Sequence, residues 1–409
     1  MIRSRATAAA FTVVLAATFL TGCGASAAHR TVSGSPIAAS SHTSKPITSH
    51  AATSAPVTTP THTAPARPSA QSVFDAMSEA QRVGQLFMVD APSTYVRTAT
   101  LDAIDDDAVG SVILDGTSYL TATQTLQITR QLQGHAPAHV ALFVATDQEG
   151  GQVQRLQGPG FAAIPTAVEQ GGYSPSQLRA DAKYWGGELH RVGVNVDLAP
   201  VLDTVPPDWG SNAAIGDLDR EYGHTTAAVA AHGLAFAQGL ADAGVVATVK
   251  HFPGLGRTYG NTDLTGSVED TVTTRHDPYL APFADAINAG VPFVMVSTAI
   301  YTKIDPVRPA AFSPTIVTGM LRDDLGFGGV IISDDVGIAA QVSNYTVAQR
   351  AVDFVQAGGD IVLTVDATQA PTMTAAVLQL AQTNSAFRAK VDAAALTVLQ
   401  AKQAAGLIH

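Results

Sequence analysis

Cysteine and basic residues are both scarce in this sequence. Only one cysteine occurs among 409 residues, and 23 Lys and Arg stand against 34 Asp and Glu, for a net charge of −11. A single thiol cannot close a disulfide within the chain, so the fold must be held by its core. The acidic balance and the lack of a basic patch argue against binding of nucleic acid. They also argue against electrostatic attraction to anionic lipid.

The beginning of the chain has the anatomy of an export signal. Arg3 and Arg5 precede an apolar run, residues 6–20, that is too short to span a bilayer comfortably. The run ends in Leu20-Thr21-Gly22-Cys23, which resembles the lipobox of bacterial lipoproteins, where the cysteine is lipidated after cleavage. We therefore predict a lipoprotein signal peptide at residues 1–22, lipidation at Cys23, and a protein anchored by lipid to the outer face of the cytoplasmic membrane, or secreted. The alternative is an ordinary signal peptide with a chance cysteine.

The segment 23–71 consists mainly of Ser, Thr, Ala and Pro and holds almost no large apolar side chains. Such a composition cannot bury enough surface to offset the cost of ordering the backbone, which predicts a flexible tether. Its scattered histidines lack the fixed spacing of a metal-ligand set. The remaining residues, 72–409, are predicted to form a single folded domain, whose length is normal for an α/β barrel.

Short apolar runs bounded by Gly, Pro or Asp recur along this domain and alternate with helical patterns such as 225–244 and 280–290. Most of the runs are continuously apolar, as expected of strands covered on both faces. Eight such strands predict a (β/α)8 barrel of the TIM type within the α/β class. The alternative is a doubly wound open sheet, but no GxGxxG follows any strand. The predicted strands are 84–90, 110–116, 139–147, 193–200, 244–251, 292–298, 329–335 and 360–366.

Polar residues follow most of these strands directly. In a barrel of this type the active site lies at the carboxyl ends of the strands. Asp335 and Asp366 are interpreted as helix caps or turn formers, because Asp favours both positions. Lys250 and His251 are not preferred capping residues, so a functional role is favoured for them. The strand ends carry Asp147-Gln148-Glu149, Asp203, Lys250-His251, Ser297-Thr298, Ser333-Asp334-Asp335 and Asp366.

Four longer stretches resemble the motifs of family 3 glycoside hydrolases, and most closely the single-barrel β-N-acetylglucosaminidase branch. They appear in the order of the family and span nearly all of 73–366, with shorter matches at PVLDT (200–204) and REYG (220–223). The resemblance implies a retaining, exo-acting glycosidase acting on a β-linked amino sugar, with no cofactor and as a monomer. The stretches are ATDQEGGQVQRL (145–156), KHFPGLGR (250–257), YTKIDPVRPAAFSP (301–314) and LRDDLGFGGVIISDD (321–335).

The resemblance also implies roles for individual residues. Asp334 matches the nucleophile, which would form a covalent glycosyl-enzyme intermediate that water later hydrolyses. The alternative for Asp334 is a helix cap. The alternative for Arg220 is a surface ion pair with Asp217 or Asp219. By motif match, the sugar-binding residues are Asp147, Arg155, Arg220, Lys250 and His251.

The proton donor is where this sequence departs from the family. The related enzymes usually read Asp-Ser-His at a place that corresponds here to Asn261-Thr262-Asp263, and Leu255 and Thr298 also stand where histidines are common. A carboxyl group serves as a general acid when burial or a neighbouring carboxylate raises its pKa. We therefore predict Asp263 as the acid/base, oriented by a hydrogen bond from Asn261. The alternative is that this loop only clamps the substrate.

Three functions follow from these observations. The first is a β-N-acetylhexosaminidase that releases terminal N-acetylglucosamine from cell-wall fragments or chitooligosaccharides. The second keeps the family but acts on β-glucosides or β-xylosides, and the third is a non-catalytic sugar-binding lipoprotein that has lost its acid/base. No metal site is predicted, because His251 has no second His or Cys at ligand spacing.

Overall fold

The structure is a computed structural model that describes residues 68–137 and 139–409. The predicted signal peptide, Cys23 and most of the predicted tether lie outside the described residues. The first helix, α1 (Ala70–Ala76), begins two residues before the predicted start of the domain, where the Ser69 side chain accepts a hydrogen bond from the N–H of Ser72. Among the helices of the described ranges, none combines the length and the hydrophobicity that a membrane span requires.

Eight parallel strands form a closed ring, which confirms the predicted barrel and excludes the open sheet. Each strand pairs with the next one along the chain, and β1 also pairs with β8. A parallel bridge between Ile332 and Ile361 joins β7 to the residue preceding β8 and closes the ring. Every predicted run overlaps one of these strands. They are β1 (Phe87–Pro92), β2 (Ser111–Asp115), β3 (Phe143–Thr146), β4 (Val196–Asp197), β5 (Val246–Phe252), β6 (Phe293–Val296), β7 (Val330–Ser333) and β8 (Val362–Thr364).

The strands are apolar on both faces because two cores need them. Successive side chains of a strand point to opposite faces. In β1, Phe87 and Val89 pack into the large outer core under the helices, whereas Met88 belongs to the core inside the barrel. Phe143 and Phe293 meet edge to face inside the barrel, with ring centroids 5.3 Å apart. Most of the strands therefore show no regular alternation of polar and apolar residues in the sequence.

Helices surround the barrel, and side-chain capping begins many of them. Thr121 and Thr346 each start a helix with a capping box, in which the side chain accepts from the third backbone N–H and a Gln reaches back. The predicted helical stretches 225–244 and 280–290 contain α7 and α8. After α1 the helices are α2 (Glu79–Gly84), α3 (Thr98–Asp105), α4 (Ala122–Gln133), α5 (Ala167–Gln170), α6 (Pro175–Arg191), α7 (Thr226–Asp242), α8 (Ala281–Asn288), α9 (Val347–Ala357), α10 (Ala370–Thr383) and α11 (Ser385–Ala404).

Several short elements occur in the connections that follow the barrel strands. After β3 the chain forms a hairpin, in which Gln148–Gly150 pairs with Val153–Gln154. A small sheet joins Glu269–Asp270, Ile300–Tyr301 and Asp305–Pro309. These connections follow the carboxyl ends of the strands, so they lie on the face that carries the site. Further irregular elements are a π-helix (Thr315–Asp324) and 3₁₀ turns at Gly216–Leu218, Pro278–Leu280, Ala310–Phe312, Ala340–Val342 and Ala367–Gln369.

Candidate active site

A cavity of about 400 Å³ lies at the carboxyl ends of the strands. All eight site residues predicted within the described part of the chain contribute to its lining. Ala214, Leu218 and Leu255 add apolar surface to the wall, and Met295 adds more. The predicted residues that the structure brings together here are Asp147, Arg155, Arg220, Lys250, His251, Asn261, Asp263 and Asp334.

Two acidic and two basic side chains form a connected ion-pair network on one side of the cavity. The Lys250 Nζ donates to Asp147 Oδ1 at 2.7 Å and lies 2.6 Å from Glu149 Oε1. Arg220 holds both oxygens of Glu149, with its Nε 2.8 Å from Oε2 and its Nη2 2.7 Å from Oε1. Arg220 therefore pairs with an acid from the hairpin after β3, and not with Asp217 or Asp219.

The charges in this network fix its protonation. Burial raises the pKa of Glu149, but the positive charges of Arg220 and Lys250 outweigh it and hold the pKa well below its usual range. Burial lowers the pKa of Lys250, yet Asp147 and Glu149 raise it above its usual value. Glu149, Lys250 and Arg220 are therefore ionised at neutral pH. The network presents fixed donors and acceptors of the kind that bind sugar hydroxyls.

His251 is oriented from behind by a buried carboxylate. Its Nδ1 lies 2.6 Å from Asp203 Oδ2, and Asp203 is fully buried. The other oxygen of Asp203 accepts backbone N–H groups from His251 at 3.2 Å and from Leu255 at 2.7 Å. Because Nδ1 is occupied, Nε2 is left for other contacts, and it lies 3.5 Å from Arg220 Nη2. Leu255, which stands where related sequences commonly have a histidine, is buried and contributes its backbone N–H to this arrangement.

Asp334 follows β7 directly and lines the cavity. Its Oδ1 accepts the backbone N–H of Asp335 at 2.9 Å, and burial raises its pKa while the charge of His251 opposes that rise. Asp335 has a structural role, as expected, because its carboxylate accepts four backbone N–H groups. Asp366 caps the 3₁₀ turn that follows it by accepting the N–H of Thr368. The four donors to Asp335 are Gly337, Ile338, Ala339 and Val365.

Asp263 reaches the cavity from a tight turn after β5. Asn261 Oδ1 accepts the backbone N–H of Asp263 at 2.9 Å, so Asn261 shapes the turn. The predicted hydrogen bond from Asn261 to the Asp263 carboxylate is therefore wrong. Asp263 is solvent-exposed as a residue, yet its carboxyl faces a crowded and acidic part of the cavity. Desolvation and the nearby negative charge of Asp334 raise its pKa to about 6. A carboxyl with that pKa is protonated for part of the time near neutral pH, which general acid catalysis requires.

Three further carboxylates belong to the site or its support, and none of them was predicted as a site residue: Glu149 and Asp203, which follow predicted strands, and Asp197, which lies within one. Glu149 joins Arg220 to Lys250, and Asp203 orients His251. Asp197, in β4, lies beneath the network, where its Oδ1 accepts the N–H of Gln148 at 3.0 Å and burial raises its pKa to about 8. All three lie after or within a barrel strand, and this position in the sequence could have identified them as candidate site residues. Their partners come from other parts of the chain, and the sequence does not reveal these pairings.

Arg155 contributes a cation beside Asp147 at the open end of the hairpin, where its backbone N–H donates to Asp147 O at 3.1 Å. Its Nε lies 3.9 Å from Asp115 Oδ1 and makes no hydrogen bond to any described group, so the guanidinium is available to a ligand. Within residues 68–137 and 139–409, His, Cys, Asp and Glu side chains form no group of three that could hold a metal ion. The site thus combines cations and hydrogen-bond donors with Asp263 and Asp334, whose carboxyl groups have raised pKa values.

The sequence matches the family model described as "Glycosyl hydrolase family 3 N terminal domain" over residues 79–401. The chain belongs to glycoside hydrolase family 3. A β-hexosaminidase from Xanthomonas euvesicatoria pv. vesicatoria (strain 85-10) is 33% identical over 288 residues, which cover 68% of this chain and 83% of the relative.

Solved structures give the same placement within family 3. A β-N-acetylhexosaminidase from Beutenbergia cavernae DSM 12333 is 48% identical with a TM-score of 0.79, and the match covers 80% of this chain and 99% of that one. A family 3 β-N-acetylglucosaminidase from Paenibacillus sp. str. FPU-7 is 30% identical with a TM-score of 0.75, over 81% of this chain and 63% of that one. The prediction of a family 3 glycoside hydrolase of the β-N-acetylhexosaminidase branch is confirmed.

Proposed function

We propose that this family 3 enzyme is a retaining, exo-acting β-N-acetylhexosaminidase that releases terminal β-linked N-acetylglucosamine from cell-wall fragments or chitooligosaccharides. The observation that carries the proposal is the presence of Asp334 and Asp263 in one cavity beside the Asp147–Lys250–Glu149–Arg220 network. A relative named as a β-hexosaminidase and a solved structure named as a β-N-acetylhexosaminidase support the choice of sugar.

The proposed reaction has two steps, in which Asp263 acts first as an acid and then as a base. In the first step the Asp334 carboxylate attacks the anomeric carbon, and Asp263 gives its proton to the departing glycosidic oxygen. In the second step Asp263, now a carboxylate, takes a proton from water, whose oxygen displaces Asp334 from the same carbon. The raised pKa of Asp263 suits both roles, because a group that titrates near the working pH gains and loses a proton easily.

Sugar binding is assigned to the charged groups around the two carboxyls. Asp147 accepts hydrogen bonds from hydroxyl groups, Lys250 and Arg155 donate to them, and His251 contacts them through its Nε2. Glu149 and Arg220 hold Lys250 in place, since the buried ion pairs leave little rotational freedom. Binding energy from these groups would position the anomeric carbon against Asp334.

The sequence leaves two alternative functions open. A β-glucosidase or β-xylosidase would use the same two carboxyl groups. It would differ from the proposed activity because its substrate has no acetamido group. A sugar-binding protein without turnover would keep the cation network but gain nothing from Asp334. The raised pKa of Asp263 favours an enzyme over a binder, because a clamp has no use for a titrating group.

The proposed location is the outer face of the cytoplasmic membrane, with the enzyme attached through a lipid on Cys23, or secreted, and acting as a monomer. The basis is the sequence pattern that ends in Cys23. A Cys23→Ser variant is expected to move from the membrane fraction to the soluble fraction and to lose incorporation of labelled fatty acid. Retention of the variant in membranes would contradict lipid anchoring.

The decisive test follows nitrophenol release from 4-nitrophenyl N-acetyl-β-glucosaminide by the full chain in mild detergent. Asp334→Asn is expected to remove nearly all turnover. Asp263→Asn should cost about 10²–10⁴-fold on alkyl glycosides and less on the nitrophenyl glycoside, which needs little protonation. Azide should restore only the Asp263 variant and yield the β-glycosyl azide.

The matched control is Asp102→Asn, because Asp102 is an exposed residue on α3. This variant should keep full activity. If nothing turns over while N-acetylglucosamine still raises the melting temperature, the protein is a binder. Turnover of the corresponding β-glucoside or β-xyloside at an equal rate would point to the second alternative.

A further inference from the structure

Asn212 is fully buried between two of the connections that follow the barrel strands. It lies in the connection after β4, eight residues before Arg220, and it contacts the connection after β5, which carries Asp263. Its side chain makes four hydrogen bonds, all of them to backbone groups. The amide of Asn has two N–H donors and one oxygen with two lone pairs, so every donor and acceptor of this side chain has a partner.

The Nδ2 group of Asn212 holds the start of the segment that leads to Asp263. It donates to Leu255 O at 2.8 Å and to Thr258 O at 2.8 Å. The Oγ1 of Thr258 also donates to Leu255 O, at 2.9 Å, so the two residues form a tight turn. Trp209, from the same connection as Asn212, donates from its Nε1 to Thr258 O at 3.3 Å. The segment that carries the proposed acid/base is therefore fixed at its start by the neighbouring connection.

The Oδ1 of Asn212 holds the backbone that supports Arg220. It accepts the N–H of Ile215 at 2.8 Å and the N–H of Gly216 at 3.0 Å. The Nη1 of Arg220 donates to Ala214 O at 2.8 Å, and its backbone N–H donates to Ile215 O at 3.2 Å. Asn212 therefore fixes the same short stretch of backbone to which the Arg220 guanidinium is bound.

The two ends of this one amide hold two different parts of the cavity wall. Buried amides are normally hydrogen-bonded, so the contacts alone would indicate only a structural role. Here, however, Leu255 on the Nδ2 side and Ala214 on the Oδ1 side both contribute to the lining of the cavity. No other side chain can replace the amide, because Asp has at most one donor, Leu has none and Gln is one methylene longer.

We propose that Asn212 is a positioning residue that sets the placement of Asp263 through its Nδ2 and that of Arg220 through its Oδ1. This inference rests on the proposed function, because it takes Asp263 as the proton donor and Arg220 as part of the sugar site. Small displacements of a reacting group lower a rate steeply. The two halves of one side chain should therefore affect two different quantities, which are proton donation to the leaving group and binding of the sugar.

The first variant of the test, made in the full chain, is Asn212→Asp. Asp keeps the acceptor on the Arg220 side but loses one donor on the Asp263 side when protonated and both when ionised. The ratio of kcat/KM for the 4-nitrophenyl glycoside to that for an alkyl N-acetyl-β-glucosaminide should rise about tenfold, because only the alkyl leaving group depends strongly on the proton of Asp263. The Kd of N-acetylglucosamine, measured by titration calorimetry, should stay within about twofold of the wild-type value.

Three further variants complete the comparison. Asn212→Ala loses both halves of the amide, so it should raise the ratio and also raise the Kd about twofold to tenfold, as expected for a lost hydrogen bond. Trp209→Phe keeps an aromatic ring at a half-buried position but removes the Nε1 donor to Thr258 O, and it should raise the ratio about twofold. Asn288→Asp is the matched control, because Asn288 is exposed at the end of α8 and lies outside the cavity lining, and it should change neither quantity.

The outcomes separate this inference from the proposed function. If Asn212→Asp lowers kcat/KM for both glycosides by the same factor, or leaves both unchanged, Asn212 has no positioning role and the inference is overturned while the proposed function stands. If Asn212→Asp cannot be obtained in folded form, an unchanged ratio in Trp209→Phe overturns the inference. A wild type that does not cleave the alkyl glycoside would overturn the proposed role of Asp263 and the inference with it.

Discussion

The backbone oxygen of Asp263 accepts a hydrogen bond from the N–H of Ala340, 3.2 Å away. Next to it, Thr262 O accepts the N–H of Gln341 at 3.0 Å. The turn that carries the proposed acid/base is thereby joined to the segment that follows Asp334. The two carboxyl groups of the proposed reaction are held on one connected backbone framework, and preorganisation of this kind contributes to catalysis.

Gln341 completes this connection through its side chain, and its loss is expected to impair catalysis more than binding. Its Oε1 accepts the N–H of Val268 at 2.7 Å and its Nε2 donates to Val268 O at 3.3 Å, so it fixes the far end of the loop. Gln341→Ala should lower kcat about tenfold with little change in KM, because the loop position loosens. Steady-state kinetics on an alkyl N-acetyl-β-glucosaminide checks this.

Two controls distinguish positioning from general damage. Gln341→Glu keeps the acceptor for Val268 N–H and should restore much of kcat. Gln349→Ala removes an exposed capping contact on α9 with no link to the loop and should leave kcat unchanged. A fall in the melting temperature of Gln341→Ala without any change in kcat would contradict the positioning role.

The pH dependence should follow from the two raised carboxyl pKa values. Asp263 acts as an acid only when protonated, and its pKa is about 6, so kcat/KM should fall as the pH rises above 6. Asp334 must be ionised to attack, and its pKa is raised. The fall in kcat/KM at low pH should therefore occur at a higher pH than the pKa of an ordinary aspartate would give. Initial rates on an alkyl N-acetyl-β-glucosaminide from pH 4 to 9, measured as released N-acetylglucosamine, give the profile, because the departure of an alkoxide needs the proton of Asp263.

Asp263→Asn tests the assignment of the basic limb. The variant has no group to deprotonate at this position, so the residual rate should stay level above pH 6. If the rate of the variant still falls above pH 6, the deprotonation of another group causes that fall. A wild-type rate that is constant up to pH 8 would contradict the proposed role of Asp263.

Glu149 is expected to matter as much as the residues that were assigned from motifs. Glu149→Gln removes the charge that holds Arg220 and Lys250 together, leaving two buried cations with one partner fewer. Removing one member of a buried ion pair costs about 3–5 kcal/mol in stability. We expect a lower melting temperature and a KM raised by about tenfold or more.

Glu269→Gln is the matched control for this change, because Glu269 is exposed and lies outside the cavity lining. It should leave both the melting temperature and KM unchanged. Wild-type kinetics in Glu149→Gln would show that the network does not support sugar binding.

Much of the barrel could be predicted because burial on both faces leaves a strong signal. Met88 points into the barrel and Val89 packs under the helices, so the first three residues of β1, Phe87 to Val89, are apolar on both faces. The hairpin after β3 was not predicted, because its paired segments, Gln148–Gly150 and Val153–Gln154, are too short for periodicity to show.

The members of the site could be predicted better than their contacts. Motif matches identified Arg220 and Asn261 as site residues, and both line the cavity. Their partners differ from those considered, since Arg220 binds Glu149 and Asn261 binds the backbone of Asp263. Such contacts depend on how loops from distant parts of the chain fold against each other, and the spacing of residues in the sequence does not report that.

Lys402 closes the opposite end of the barrel and should make stability depend on pH. It is fully buried on α11, where its Nζ donates to Gln85 Oε1 at 2.8 Å and to Gly110 O at 2.7 Å, and burial lowers its pKa to about 7. An unfolded chain would protonate this amine up to about pH 10. Between pH 7 and 10 the unfolded state therefore binds more protons than the folded state.

It follows that this residue makes the wild type more stable as the pH rises from 7 to 10, by up to about 1.4 kcal/mol per pH unit. Lys402→Met has no titrating group at this position, so the difference in unfolding free energy between wild type and variant should move in favour of the wild type over that range. Urea unfolding at pH 7, 8 and 9 measures the difference, with Lys183→Met, an exposed lysine on α6, as the control. A difference between wild type and Lys402→Met that is constant with pH would mean that Lys402 remains charged in the folded barrel, stabilised there by its oxygen partners and by the ring of Phe143, 5.5 Å from its Nζ.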